Sequence, residues 1–226
     1  MQTDDLIDAL SAVTAPAPRA DPQRRLALAA GAGVLVALAL VLAWLKLRPD
    51  LTQALAQPFF WIKAGYTTAL AIGGFMACER LARPGVSAAR AWMIGGAIVA
   101  AMAGLALAQL GGLDGAGRIA AVRGGSWLVC SRNILVLGAP MTVFTLAALR
   151  GLAPTRPTLA GFGCGVFSGA VAATVYGLHC PEATFVFVAV WYTLGMVGCG
   201  LLGAGLGRWM LRWRDRAPGV RHSDLG

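Results

Sequence analysis

The sequence predicts an all-α protein, a polytopic bundle of six transmembrane helices with both termini in the cytoplasm. Three observations carry that expectation. Apolar residues fill 58% of the 226 positions and charged residues only 13%, about half the charged share of an ordinary soluble domain. Six apolar runs recur along the chain, each near the roughly 20 helical residues that cross a hydrocarbon core of about 30 Å. Finally, the 19 Lys and Arg residues flank those runs unevenly, as membrane topology requires. A soluble enzyme, a disordered chain and a disulfide-stapled secreted domain all fit this composition poorly. The runs show no alternation of period two, so helices are favoured over a lipid-facing barrel. The net charge of +9 is not read as a nucleic-acid footprint. The basic residues form no stripe interleaved with aromatics, so no direct nucleic-acid contact is expected.

The elements follow in order. Residues 1–25 form a cytoplasmic tail. Within it Leu6, Ile7, Leu10 and Val13 share one arc of a helical wheel, with Asp4, Asp5 and Asp8 nearly opposite. Thr3 suits the N-cap, and aspartates in the first turn suit the helix dipole. Ala15-Pro16-Ala17-Pro18 ends the segment. A helix of about three turns is marginal alone in water, and membrane-surface helices are usually basic on their polar face. Two readings stay open: a segment that folds on docking into a partner's groove, or a frayed tail with one capped turn.

The spans are expected at 26–45, 59–79, 91–110, 127–149, 158–178 and 184–206. The first is long enough to cross the bilayer and is read as a retained helix, not a cleaved signal. The connections run over 46–58, 80–90, a Gly-rich loop 111–126, 150–157, and a tight turn at His179-Cys180-Pro181. None is long enough to hold a soluble domain. The transmembrane domain is therefore 26–207, with a basic C-terminal tail over 208–226. With both termini on one side, that side holds 13 Lys and Arg residues and the other holds 4, namely Lys46, Arg48, Arg118 and Arg123. Lys63 and Arg132 fall inside spans, close enough to one face to snorkel. The asymmetry places both termini in the cytoplasm.

Small residues recur four apart at Gly161, Gly165 and Gly169, at Gly96, Ala100 and Gly104, and at Gly203 and Gly207. Such stripes let helices approach closely in lipid. They serve contacts within and between chains equally, so they set no oligomeric state. Ion-coupled transporters place ionisable groups near the midplane, and this chain has almost none. A small membrane transporter or thiol-redox carrier is therefore the alternative reading only. No phosphate-binding glycine loop ending in Lys-Ser/Thr, no GxSxG elbow and no CxxC or HxxxH spacing occurs. No enzyme and no cofactor is expected.

Five cysteines remain. Cys78, Cys164 and Cys199 fall in spans and read as small apolar packing residues. Cys130 and Cys180 both fall near the periplasmic face, where disulfides are permitted. Cys180 stands beside His179, whose cationic form lowers a thiol's pKa. Three readings stand side by side: a redox or soft-metal pair, with Cys130 and Cys180 as possible metal ligands, an ordinary structural disulfide, and unrelated free thiols.

Four motifs, taken in order, point to a family. They are Thr3-Asp4-Asp5-Leu6-Ile7 with Leu10, Leu47-Arg48-Pro49-Asp50-Leu51, Trp127 with Cys130, Arg132 and Pro140, and Leu178-His179-Cys180-Pro181. With this spacing and six-span setting, the chain resembles the NrsF-type family, negative regulators of an extracytoplasmic-function (ECF) sigma factor. The resemblance covers essentially the whole chain. It implies an inner-membrane anti-sigma factor whose cytoplasmic tail, here Thr3 to Val13, holds the sigma factor away from RNA polymerase. It also implies that Cys130 and Cys180, with His179 beside them, sense heavy metal or oxidative stress. The soluble zinc-binding anti-sigma pattern is absent. The expected partners are thus a cytoplasmic ECF sigma factor and the lipid bilayer.

Overall fold

A computed structural model of the chain describes residues 22–211 apart from 84, 151 and 153. The tail positions Thr3, Asp4, Asp5, Leu6, Ile7, Asp8, Leu10 and Val13, and the C-terminal tail from Arg212, lie outside the described residues. Among the described residues there is no strand.

Helix α1 covers Pro22–Leu40 and continues as a π-helical turn over Val41–Leu45. A single turn, α2, covers Leu51–Leu55, and α3 runs Pro58–Leu81. Next come α4, Ala89–Gly111, the short α5, Gly115–Arg123, and α6, Trp127–Leu149. Helix α7 is Pro157–Tyr176. The last, α8, spans Phe185–Met210 and carries a π-helical turn at Val188–Tyr192. Each expected span is a helix within a few residues of its expected bounds. Proline starts α3 and α7, where its missing N–H costs nothing. The Gly-rich segment expected as a loop contains α5 instead. Asp114 starts it by accepting a hydrogen bond from the Gly117 N–H at 2.8 Å.

Among the described residues five helices are long and apolar enough to cross a membrane: Gln23–Leu45, Ala89–Gly111, Gly115–Leu149 (α5 and α6 together), Pro157–Tyr176 and Phe185–Met210. The second expected span, α3, is long enough at 24 residues but falls outside that set. Three of its polar side chains face inward: Lys63 and Thr67 are buried, and the Tyr66 hydroxyl bonds Thr193 Oγ1 at 2.6 Å. That polarity lowers its hydropathy without exposing it to lipid.

Helix α7 is the most buried of those five. It meets α8 almost backbone to backbone. A Cβ added at Gly161 would lie 2.2 Å from the Gly203 carbonyl oxygen, and one at Gly165 would lie 2.0 Å from that of Cys199. The stripes of α7 and α8 therefore pack against each other within one chain. The stripe of α4 does not: Gly96 and Gly104 have no neighbour within 4 Å of such a Cβ. Hydroxyls add cross-helix bonds, Thr174 to Thr67 at 2.8 Å and Thr145 with Ser168 at 3.3 Å. One core cluster gathers Leu26, Leu81, Leu149 and Leu211 at the end where the described chain begins and finishes. The opposite end gathers Cys130, Tyr176, Cys180 and Tyr192.

Candidate functional site

Cys130 lies in the first turn of α6, and Cys180 in the turn between α7 and α8. Fifty residues apart, the two thiols are brought into side-chain contact. Both are free and fully buried. Three of the expected site residues are thus described. Two of them, Cys130 and Cys180, come together.

The third, His179, turns away. The carbonyl of Lys46 can only accept, so His179 Nδ1 carries the proton it shares with that oxygen at 2.8 Å. Its ring also lies 5.6 Å from that of Tyr176. Among the described residues no group of three or more His, Cys, Asp and Glu side chains could hold a metal ion. The pair offers two sulfurs and no third ligand of those types.

The walls of the pocket are polar. Lys63, expected to snorkel toward water, is 2% exposed and turns inward. Its Nζ donates to the carbonyls of Cys180 at 2.9 Å and Glu182 at 3.2 Å, and lies 5.7 Å from the Tyr192 ring centre. Lipid offers a lysine no acceptor, whereas this turn offers two. The buried Tyr192 hydroxyl has no ordinary hydrogen-bond partner, and the polar group beside it is the Cys180 sulfur. Asn133 Oδ1 is likewise buried without a partner. The Cys180 thiol is held below its ordinary value, first by the hydrogen bond from Cys130 and then, against the cost of burial, by the charge of Lys63.

Two clamps fix the Cys180 turn. Glu182 accepts from the Gly125 N–H at 2.8 Å and the Ser126 hydroxyl at 3.0 Å, just ahead of α6. The neighbouring Gly124 has φ +54, and a Cβ there would meet the same carboxylate at 2.3 Å. On the other side the turn grips the end of α1. The Arg48 N–H donates to the Leu178 carbonyl at 3.2 Å, next to the His179–Lys46 bond. Lys46 has φ 64, a region non-glycine residues enter only under constraint. Arg48 forks onto Asp50 at 2.7 and 2.6 Å, which holds the Asp50 carboxyl below its usual range.

Sequence reasoning identified Cys130 and Cys180 but missed Lys63, Asn133, Tyr176, Glu182 and Tyr192 as their surroundings. A lysine and a tyrosine within apolar runs were the available signal. The remaining three cysteines pack as expected. Cys78 and Cys164 share a core cluster, and Cys199 lines the α7–α8 contact with its thiol toward the Ile134 carbonyl.

Fold and site together define a helical bundle with a buried thiol pair at the end away from where the described chain begins and finishes. The family model described as "Negative regulator of sigma F", NrsF, matches residues 10–213. The chain is 53% identical over 214 residues to a Caulobacter vibrioides protein named "Anti-sigma-F factor NrsF", covering 94% of this chain and all of that one. It is 41% identical over 213 residues to an Azospira oryzae protein named "Probable anti-sigma-F factor NrsF", with the same coverage. No solved structure matches. The chain belongs to the NrsF family.

Proposed function

We propose that this chain is a six-span, inner-membrane anti-sigma factor that holds an ECF sigma factor through its cytoplasmic N-terminal tail. It releases that partner when the periplasmic pair Cys130 and Cys180 reacts under oxidative or heavy-metal stress. The relatives' names support the sigma-factor partner. The observation that carries the sensing half is the contact between two cysteines fifty residues apart, in a polar pocket at the end opposite the termini.

The redox branch suits this geometry best. Two adjacent thiols lose two protons and two electrons in forming a disulfide. A peroxide accepts both, leaving as an alcohol and water. The new bond pulls the Cys180 turn toward α6. That turn is bonded to the end of α1 through Lys46 and Arg48, and α1 runs directly back to the tail. Repacking of this end thus shifts the helix from which the tail hangs. Leu6, Ile7, Leu10 and Val13 then leave an apolar groove of the sigma factor, and Asp4, Asp5 and Asp8 leave its basic surface.

The test is a pull-down from detergent extract with the full chain and with a version lacking residues 1–14. A stoichiometric soluble partner of sigma-factor size should copurify with the first and not the second. Cys130→Ser and Cys180→Ser should keep the partner yet lose its induced release. Normal release in both would remove the thiol mechanism and leave the anti-sigma role in place.

A further inference from the structure

We propose that Lys63 is a positioning residue of the thiol site: its buried ammonium holds the Cys180 turn and selects Cys180, rather than Cys130, as the nucleophilic sulfur. This rests on the reading above in taking the pair as the reactive centre.

Lys63 is nearly inaccessible, and two of its donors go to the carbonyls of Cys180 and Glu182 at 2.9 and 3.2 Å. Carbonyls supply partial charge only. Among the described residues the ion pairs are Arg48–Asp50 and Glu79–Arg83, so no carboxylate answers Lys63. Glu182, the carboxylate of the same turn, is occupied by Gly125 and Ser126. A buried cation without a full counter-charge is unfavourable. The anion that can form beside it is a thiolate, and the ammonium is bonded to the very residue that carries one of the two sulfurs.

The donors around the two sulfurs are unequal. Cys180 has the Cys130 thiol against it and the Lys63 ammonium bonded to its own carbonyl at 2.9 Å, and the otherwise unpartnered Tyr192 hydroxyl stands beside it. These groups stabilise a negative sulfur at Cys180 and leave Cys130 as the protonated neighbour. Arg48 and Tyr176 complete the ionisable groups around the pair. A cavity of about 60 Å³ beside the Cys180 turn is lined in part by Arg48, Phe60, Lys63 and Glu182.

Timed alkylation of the full chain in detergent micelles with iodoacetamide, read at each cysteine by mass spectrometry, tests the assignment. The attacking sulfur forms a bond to carbon, the carbon–iodine bond breaks, and iodide leaves. Cys180 should react at least about tenfold faster than Cys130, as expected of a thiolate beside a fixed cation. Lys63→Met should lower the Cys180 rate by about tenfold while leaving Cys130 little changed, and Lys63→Arg should retain most of the difference because it keeps the charge. Loss of a purely structural clamp would open the turn and speed both thiols instead. Equal rates in the unaltered chain, or an unchanged ratio in Lys63→Met, overturns the assignment. If Lys63→Met fails to fold, Lys63→Gln, which removes the charge and keeps hydrogen-bond donors for the two carbonyls, decides it: a collapsed ratio supports the assignment and a kept one overturns it. A rate ratio that collapses in Lys63→Met, with normal release in both serine variants, would leave Lys63 assigned and remove the sensor reading. Lost release with equal alkylation rates would do the reverse.

Discussion

At the residue scale, His179 does something other than what its place beside a cysteine suggests. Adjacency in sequence suggested an imidazole that tunes or shares the thiol's chemistry. The turn instead sends its Nδ1 to the Lys46 carbonyl at 2.8 Å, where it holds a non-glycine residue at φ 64. A hydrogen bond of this kind contributes about 1 kcal/mol net, comparable to the roughly 1–3 kcal/mol such a backbone conformation costs. The bond therefore couples the reactive turn to α1 without touching sulfur. His179→Phe keeps an aromatic ring against Tyr176 and removes the bond. It should lower unfolding stability by about 1 kcal/mol, leave Cys130–Cys180 cross-linking by peroxide intact, and weaken partner release. Release at the unaltered level, with normal cross-linking, would show that the coupling to the tail runs elsewhere. Sequence could not have distinguished these roles. Adjacency along the chain says nothing about which way a turn residue points.

At the element scale, the legible and illegible parts separate cleanly. Apolar runs of membrane length fix helices strongly, because an unpaired backbone group in lipid is expensive. The helices of all six expected spans were therefore legible. The π-helical turns at Val41–Leu45 and Val188–Tyr192 were not, since no residue type marks them. Helix α5 was hidden by its glycines, although Asp114 was there as a cap. The glycine stripes were visible, but their partners were not. The α7–α8 stripe and the α4 stripe look alike in sequence, yet only the first meets another backbone. This difference is measurable. Gly165→Ala puts a methyl where the Cys199 carbonyl already stands and should destabilise the bundle by about 1–3 kcal/mol, the usual cost of overpacking. Gly96→Ala enters open space and should be neutral or slightly stabilising, because a mid-helix glycine costs about 0.5–1 kcal/mol against alanine. Denaturation in mixed micelles compares them. Equal effects from both would mean that α7 and α8 do not approach as described.

At the scale of the whole molecule, the charges and the cysteines make one argument about orientation. Leu26 and Leu211 share a core cluster, so the described chain begins and finishes at one end. That end carries Arg24, Arg25, Arg80, Arg83, Arg90, Arg150, Arg156 and Arg208, while Lys46, Arg48, Arg118 and Arg123 belong to the thiol end. The excess of positive charge near short loops stays in the cytoplasm. In the proposed topology the thiol end faces the periplasm, the compartment where disulfides form and persist. The same proposed orientation would put the tail where a sigma factor can reach it, so one topology serves both halves of the proposed function. Alkaline phosphatase, active only in the periplasm, reports it. Fused after Leu113 it should be active, and fused after Leu211 it should be inactive. The reverse pattern would place the thiols in a reducing cytoplasm and the tail outside the cell's transcription machinery. It would remove sensing and sequestration together, even though every helix and every contact described above would stay as it is.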